Sequence, residues 1–248
     1  MHRLPPKGPI PTELKSFCRR NPTCNDWNTF YNNFHNSYET LKDKICSQQG
    51  NVCAYCEEQL PQEKPSQQRI EHFHPKEDKS SRHNWAFDWM NMLVTCHGGS
   101  RKNSQQPTVL HCDASKEQNV TATTCDGYLL NPLTMPSECL FTLNRVTGEL
   151  QPNEDTCKNT TIPNNHYGSV VELVKETIRI LNLNCDRLNE KRKKVIKEFE
   201  KERTEMRRNP KTCSSIRDTI AKKWFMSKTP SFFTTRRILL GKYAEQYI

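Results

Sequence analysis

Two closely spaced cysteines, Cys53 and Cys56, are the residues whose types and spacing most clearly indicate a chemical role. Thiolates separated by two residues on a tight turn can bind one zinc ion together, but a tetrahedral site needs two further ligands. Cys96 lies where a second pair is expected, yet glycine rather than cysteine stands at position 99. The second pair of ligands is therefore either split or incomplete.

The fourth ligand must come from the residues that follow Cys96. Cys112 comes after an insertion, residues 97–111, and begins a segment that could continue as a helix. Thiolate suits zinc well, so the predicted zinc ligands are Cys53, Cys56, Cys96 and Cys112. Four protein ligands leave no open position for a substrate, which predicts a structural ion. The alternatives are an ordinary buried thiol at Cys96 or Cys112, or a ligand from among His97, His111 and Cys125.

Between the two halves of the predicted zinc site lies the heptapeptide RIEHFHP, residues 69–75. It carries a carboxylate at Glu71 and imidazoles at His72 and His74, which are side chains that acid–base and metal-assisted chemistry use. In a strand, Glu71 and His72 point to opposite faces, while His72 and His74 share one face. Glu71 and His72 can serve one site only if the strand bends or ends here, and Pro75 favours an ending.

Composition narrows the class of protein. The chain has 248 residues, 33% hydrophobic content and a mean hydropathy of −0.89. No segment approaches the about 20 apolar residues of a membrane span, and the N-terminal residues lack the apolar region of a secretory signal. We therefore expect a cytoplasmic protein with no membrane partner, in which twelve cysteines favour metal binding over disulfides. The formal net charge of +9 favours nucleic acid as a partner.

The spacing of apolar residues predicts the elements that position these groups. Residues 12–49 repeat large apolar side chains every three or four positions, which predicts helix, with Asn25 as a candidate N-cap. Gly50 and Asn51 are expected to end this helical region. Residues 52–118 contain only short apolar segments and so bury little apolar area. This part of the chain therefore needs additional stabilisation, such as a bound metal ion.

The second half of the chain combines short strands with helices. Residues 127–132 and 139–150 have the composition of short strands, with Gly148 in a turn. Two helices with apolar stripes follow, one from 170 to 181 and one that Asn184 is expected to cap. The second helix is strongly basic on its other face, which suits either solvent or a polyanionic partner.

The order of these segments resembles the HNH nucleases of the ββα-metal type. The residues that match that pattern are, in chain order, Cys53, Cys56, Glu71, His72, Pro75, Asn91, Cys96 and Cys112. More closely, the chain resembles the HNH endonuclease subunits of bacterial Septu and retron antiphage systems. That resemblance rests on the segments CAYCE (53–57), IEHFHPK (70–76), WMNML (89–93) and LNLN (181–184).

The resemblance implies an α+β fold with a small zinc-stapled ββα-metal core. We expect this HNH core at residues 51–125, preceded by a helical N-terminal arm at 1–50. Residues 126–248 are expected to form short strands followed by a basic helical region. The helical extensions at both ends are candidate docking surfaces.

The resemblance also implies roles for individual side chains. His72 is expected to act as the general base on water, and Asn91 to position His72 or its loop. Glu71 and Asp113 are expected to hold a catalytic Mg²⁺ or Mn²⁺ ion. Many HNH enzymes carry asparagine or histidine where Asp113 stands, so His111 is the alternative. Contacts to nucleic acid are expected from His74, Lys76, Arg82 and Lys116.

These features together predict a metal-dependent endonuclease, acting on DNA or RNA, that serves as the effector of an antiphage system. The resemblance implies an ATPase partner of the ABC/SMC-like kind and, for a retron, a reverse transcriptase with its RNA–DNA product. A free nuclease would damage its own cell, so restraint by a partner is expected. The alternatives are a non-catalytic zinc module that binds nucleic acid or protein, and an adaptor that assembles the ATPase.

Overall fold

The computed structural model describes residues 1–61, 63, 67–99, 109–208, 215–226 and 229–248. Its elements are, in chain order, α1 (Thr12–Arg20), α2 (Trp27–Asn33), α3 (His35–Gln48), β1 (Gln68–His72), β2 (Met92–Cys96), α4 (Cys112–Asn119), β3 (Phe141–Leu143), β4 (Leu150–Pro152), α5 (Glu154–Lys158), α6 (Val170–Ile180), α7 (Asp186–Arg208), α8 (Ile216–Phe225) and α9 (Phe233–Leu240). This mixture of helices and small sheets agrees with the predicted α+β class. Over the residues described, no helix is both long enough and apolar enough to cross a membrane.

The N-terminal region forms three helices rather than one. Its apolar spacing is helical, but the chain turns after α1 and again at Phe34, whose φ is −129°. Asp26, and not the predicted Asn25, is the N-cap of α2. Its carboxylate accepts the N–H groups of Asn28 and Thr29 at 3.0 and 3.1 Å. The residue directly before the helix is the one whose side chain reaches these amides, which is why Asn25 does not serve.

The end of α3 is tied directly to the central sheet. The helix ends at Gln48, and Gly50 and Asn51 follow with φ values of 73° and 59°, so the predicted ending is confirmed. The Gln49 side chain accepts the N–H of Val94 at 2.8 Å and donates to the Val94 carbonyl at 2.9 Å. This pair of hydrogen bonds fixes the N-terminal helices against β2.

The central sheet has two antiparallel strands. β1 and β2 pair so that Gln68 faces Cys96 and His72 faces Met92. α3 and α4 both pack against β2, and four of its five residues are buried. The C-terminal ends of the two strands lie at opposite ends of the sheet, about 13 Å apart, since a strand rises about 3.4 Å per residue. The sheet therefore separates Cys96 from the Glu71–His72 pair.

The second sheet lies where the sequence predicts strands, but one predicted strand is missing. β3 and β4 pair antiparallel around a turn at Gly148, as expected for residues 139–150. The strand predicted at 127–132 is wrong, because this segment forms turns. Leu130 donates its N–H to Thr177 Oγ1 on α6 at 3.0 Å. A short apolar run buried against a helix has the same pattern as a buried strand.

The basic helix α7 is partly internal. It begins at Asp186, so Asn184 is not its N-cap as predicted. The Asn184 amide instead bridges to β4, accepting the N–H of Leu150 and donating to its carbonyl, both at 2.9 Å. Arg192, in the basic stretch, is buried and donates to the Leu183 carbonyl at 2.5 Å. The positive charge of this helix is therefore only partly available to a partner.

Candidate metal and active site

The four cysteines predicted to bind zinc converge on one point. The Sγ atoms of Cys53 and Cys112 are 4.0 Å apart, and those of Cys56 and Cys96 are 3.8 Å apart. All four sulfur atoms lie within 4.8 Å of one another. Zinc–sulfur bonds of about 2.3 Å in tetrahedral geometry require sulfur–sulfur distances of about 3.8 Å. The cluster could therefore hold a structural metal such as zinc without help from the alternative ligands His97, His111 and Cys125.

Burial makes a negative charge on these thiols unfavourable. Burial, and then the hydrogen bond with Cys53, hold the pKa of Cys112 well above its usual range. Several thiolates cannot share a buried site unless a cation balances their charge. The donor chemistry of the cluster thus matches a soft divalent metal ion.

A hydrogen bond beside the cysteine cluster joins the two described ends of the segment between Cys96 and Cys112. The N–H of His111 donates to the carbonyl of Gly98 at 2.9 Å. Gly98 has a φ of 56°, and a Cβ at this position would lie 1.9 Å from the His111 carbonyl oxygen. Only glycine allows this approach. Gly98, which precedes the glycine at the position of the expected cysteine, thus allows the chain to approach His111, the residue before Cys112.

His111 supports the cysteine cluster. Its Nδ1 is 3.1 Å from Cys112 Sγ, and its Nε2 is 2.6 Å from Nη2 of Arg187. Because a guanidinium only donates, Nε2 accepts and Nδ1 carries the hydrogen that faces the sulfur. Burial, and then the charge of Arg187, lower the pKa of His111 to about 4. This placement beside Cys112 leaves Asp113 as the candidate ligand for a catalytic metal.

Two carboxyl groups meet beside β1. Glu71 on β1 and Asp113 in the first turn of α4 share a hydrogen bond. Arg69 pairs with Asp113, and Tyr55 donates its hydroxyl to Glu71 at 3.2 Å. Burial, and then the Glu71 carboxylate, hold the pKa of Asp113 well above its usual range. Two adjacent carboxyl groups are hard oxygen donors of the kind that Mg²⁺ and Mn²⁺ use.

Lys116 is directed into the same site. Its ammonium donates to Glu71 Oε1 at 2.6 Å and to the His72 carbonyl oxygen at 3.0 Å. Burial raises the pKa of the Glu71 carboxyl, but the charge of Lys116 and the hydrogen bonds with Asp113 and Lys116 together lower it below its usual range. Lys116 is only 5% exposed. Its ammonium therefore contacts a carboxylate here, whereas the sequence predicts a contact with nucleic acid.

His72 faces away from this carboxyl pair. Its Nε2 is 3.0 Å from the Ala86 carbonyl oxygen, and its ring meets the edge of Trp27 with centroids 4.6 Å apart. A carbonyl only accepts, so Nε2 carries the hydrogen and Nδ1 keeps its lone pair. Burial lowers the pKa of His72 to about 4. Glu71 thus faces α4 and His72 faces α2, in the alternation expected of a strand that ends at His72.

Asn91 holds the loop that follows β1. Its Oδ1 accepts the N–H of His74 at 2.7 Å, and its Nδ2 donates to the carbonyls of His74 and Trp85 at 2.9 and 3.0 Å. Its backbone carbonyl accepts the N–H of Phe73 at 2.8 Å. The hydrogen bonds of the Asn91 side chain are thus with this loop and not with the His72 ring.

His74 is held between two carboxylates. Nδ1 is 2.5 Å from Asp126, Nε2 is 2.8 Å from Asp78, and the ring stacks on Trp85 at 3.9 Å. Neither ring nitrogen is left for a phosphate or a metal in this arrangement. The predicted contact with nucleic acid therefore does not match its placement, and His74 links the β1 loop to the segment around Asp126.

The remaining candidates for nucleic-acid contact lie on the loop after β1. Lys76 is half-buried and pairs with Glu77 at 2.7 Å, while Arg82 is exposed. Sequence reasoning missed Arg69 and Tyr55, although alternation along β1 puts Arg69 on the face of Glu71. It also missed Asp126, for which the sequence holds no signal, because this residue reaches His74 only through the fold.

Comparison with known proteins relates the whole chain to retron proteins. No protein-family model matches it. The chain is 32% identical over 237 residues to the Escherichia coli protein named "Retron Ec83 putative HNH endonuclease", with 92% of this chain and 89% of that protein covered. It is 24% identical over 126 residues to "Retron Vc95 putative HNH endonuclease" of Vibrio cholerae serotype O1 biovar El Tor, with coverage of 48% and 56%. The first match extends over nearly the full length of both chains.

Proposed function

The chain belongs to the family of retron HNH endonucleases, and from this premise we propose that it is a metal-dependent endonuclease that hydrolyses phosphodiester bonds in nucleic acid. It would act as an effector of a retron-type antiphage system. The observation that carries the proposal is the pair of carboxyl groups formed by Glu71 on β1 and Asp113 on α4. His72 follows Glu71 in β1, and its ring lies on the opposite face of the strand. In this proposal β1, β2 and α4 form the ββα unit of an HNH nuclease.

His72 is proposed as the general base. Its Nε2–H is held by the Ala86 carbonyl, so Nδ1 is the nitrogen that can take a proton from water. Because burial lowers the pKa of His72 to about 4, the ring is neutral at physiological pH, which leaves Nδ1 without a proton. Asn91 fixes the loop after β1 and so limits the movement of the His72 backbone.

Glu71 and Asp113 are proposed to hold the catalytic metal. Mg²⁺ is commonly bound by one or two protein carboxylates, with water and substrate phosphate completing its shell, so two carboxyl groups suffice. A bound Mg²⁺ or Mn²⁺ ion would stabilise the charge that develops on the phosphate.

Nucleic acid is the proposed substrate, and the net charge of +9 supports it. Arg82 is exposed on the loop after β1, and in this proposal it contacts a phosphate. The retron names of the relatives support a retron context for this chain as well. Within it we propose an ABC/SMC-like ATPase as partner, and the reverse transcriptase with its RNA–DNA as a further component.

A cleavage assay tests the proposal. The purified protein, with and without the retron ATPase, is incubated with plasmid DNA and with total RNA in Mg²⁺ or Mn²⁺. We expect cutting of at least one nucleic acid, its loss on chelation, and its loss in His72→Ala. His83→Ala is the matched control, because His83 is exposed and pairs with Asp88 at 2.8 Å. If no condition gives cutting, or if His72→Ala cuts as well as the unmodified chain, the enzyme proposal fails.

One observation favours a second candidate, a zinc-stabilised module that binds nucleic acid or protein without cutting. Glu71 and His72 are only 8% and 5% exposed, so substrate reaches them only after a local opening. An electrophoretic mobility assay beside the cleavage assay separates the two candidates, because the binding module retards nucleic acid and never shortens it.

A further inference from the structure

The ammonium of Lys116 lies next to the carboxylate of Glu71, at the position that a metal ion bound to this carboxylate would need. It lies 2.6 Å from Glu71 Oε1, the oxygen that also accepts from Tyr55. Mg²⁺ binds carboxylate oxygen at about 2.1 Å. An ammonium and a divalent cation cannot both occupy the space next to this oxygen without strong repulsion.

The charges around the two carboxyl groups are already balanced by the chain. Lys116 pairs with Glu71, and Arg69 pairs with Asp113. Both members of the Glu71–Lys116 pair are buried, with side chains 10% and 7% exposed. A divalent ion added to this balanced cluster would leave an excess of buried positive charge, which is unfavourable. One of the two side-chain cations must therefore move when metal binds.

Lys116 has a suitable place to move to. Its second acceptor is the backbone carbonyl of His72, at 3.0 Å, so the ammonium contacts the main chain of the residue proposed as general base, whose ring lies on the other face of β1. The scissile phosphate must lie close to His72 for that base to act on the attacking water. An ammonium at the end of a flexible stem binds phosphate as a point charge.

We infer that Lys116 and the catalytic metal compete for Glu71, and that metal binding transfers Lys116 from this carboxylate to the phosphate of the nucleic acid. The inference rests on the proposed function, because it takes Glu71 as a metal ligand. It makes Lys116 a positioning residue for the carboxylate and a phosphate contact in turn. Metal and nucleic acid then favour the same position of Lys116, so each strengthens the binding of the other.

Titration with Mn²⁺, followed by the EPR signal of the free ion, tests the competition on zinc-loaded protein. Lys116→Met is expected to bind Mn²⁺ at least tenfold more tightly than the unmodified chain. Lys116→Arg keeps the charge and is expected to bind Mn²⁺ as weakly as the unmodified chain does. The matched control is Lys42→Met, since Lys42 is also buried and pairs with Glu39 at 2.7 Å. It should leave Mn²⁺ affinity unchanged, and Glu71→Gln should remove the site.

Acetylation followed by mass spectrometry tests the movement in the unmodified chain, where misfolding of a variant cannot interfere. Without Mn²⁺, Lys116 should be modified far more slowly than Lys222, which is exposed on α8. With saturating Mn²⁺, the rate at Lys116 should rise at least severalfold, while the rate at Lys222 stays the same. Addition of a 20-mer oligonucleotide should then protect Lys116 again.

The outcomes separate this inference from the proposed function. Equal Mn²⁺ affinity in Lys116→Met and the unmodified chain, with an unchanged acetylation rate, overturns the inference even if the chain cuts nucleic acid. If the zinc-loaded protein binds no Mn²⁺ in any variant, metal-dependent cleavage and the competition are both rejected.

Discussion

The two ends of the β1–β2 sheet hold charged groups in contrasting ways. At one end the four cysteines gather ligands that only an added cation can balance. At the other end, Glu71 and Asp113 are balanced within the chain by Lys116 and Arg69. A ligand set that lacks its counter-charge must acquire metal in order to fold, whereas a balanced set can fold first and exchange metal later. In the proposed function, this difference separates the structural metal site from the catalytic one.

The sharpest test of the contrast is Cys112→Ser. Binding of structural zinc supplies about 10–16 kcal/mol of apparent free energy, which is comparable with or exceeds the stability of a typical domain. We therefore expect loss of bound zinc, measured by atomic absorption, and loss of the cooperative thermal transition. Cys18→Ser is the control, since Cys18 is half-buried and lies outside the cluster. A full zinc content in Cys112→Ser would contradict the assignment of the fourth ligand.

At the opposite end of the sheet, Asn91→Ala should destabilise the protein without releasing zinc. The variant leaves three buried backbone groups without their partner, two on His74 and one on Trp85. Their summed cost is about 4 kcal/mol. Urea unfolding measures the loss, with Asn84→Ala as a control on an exposed amide. If zinc leaves together with stability, the two ends of the sheet are not independent.

Gly98→Ala tests the turn that closes the cysteine cluster. A Cβ 1.9 Å from the His111 carbonyl oxygen forces the backbone apart, at a cost of about 3 kcal/mol. Zinc should also leave faster, as measured with a colorimetric chelator. Gly241→Ala separates steric overlap from backbone strain, because Gly241 has a φ of 58° but no atom within 4 Å of an added Cβ. Equal losses in both variants would mean that strain alone accounts for the effect.

The smallest expected effect belongs to His111→Ala. Removal of the hydrogen bond to Cys112 should weaken zinc binding about tenfold, or about 1.4 kcal/mol, as for other residues that support a metal ligand. Competition with a chelator of known affinity measures this change. His166→Ala is the control, because His166 is exposed and stacks on Tyr128. An unchanged zinc affinity would show that Cys112 needs no such support.

Sequence reasoning was most informative where side-chain chemistry leaves few choices. Two thiolates separated by two residues are more often metal ligands than disulfide partners in a reducing compartment, so Cys53 and Cys56 indicated zinc. The preference of zinc for thiolate then favoured Cys112 over nearby histidines. The resemblance implied the α+β class, and strand alternation placed Glu71 and His72 on opposite faces. The domain boundaries at residues 50 and 125 stay predictions, as do the catalytic roles.

Sequence reasoning was least informative where a role depends on a partner distant in the chain. Lys116 looked like a phosphate contact because lysine usually lies on the surface, and only the fold brings it to Glu71. His74 could not be interpreted without Asp126, which lies 52 positions further along. Asn184 has the composition of an N-cap, but its amide is used by Leu150 in another element.

The close approach of Gly98 and His111 also has a consequence for protein engineering. The hydrogen bond from the His111 N–H to the Gly98 carbonyl fixes the two described ends of this segment, so a longer segment costs only the entropy of closing a longer loop. Doubling the length of such a loop costs only about 0.6 kcal/mol. A reporter peptide or a spectroscopic label inserted there would therefore follow the protein in the cell while leaving both ends of the sheet as they are.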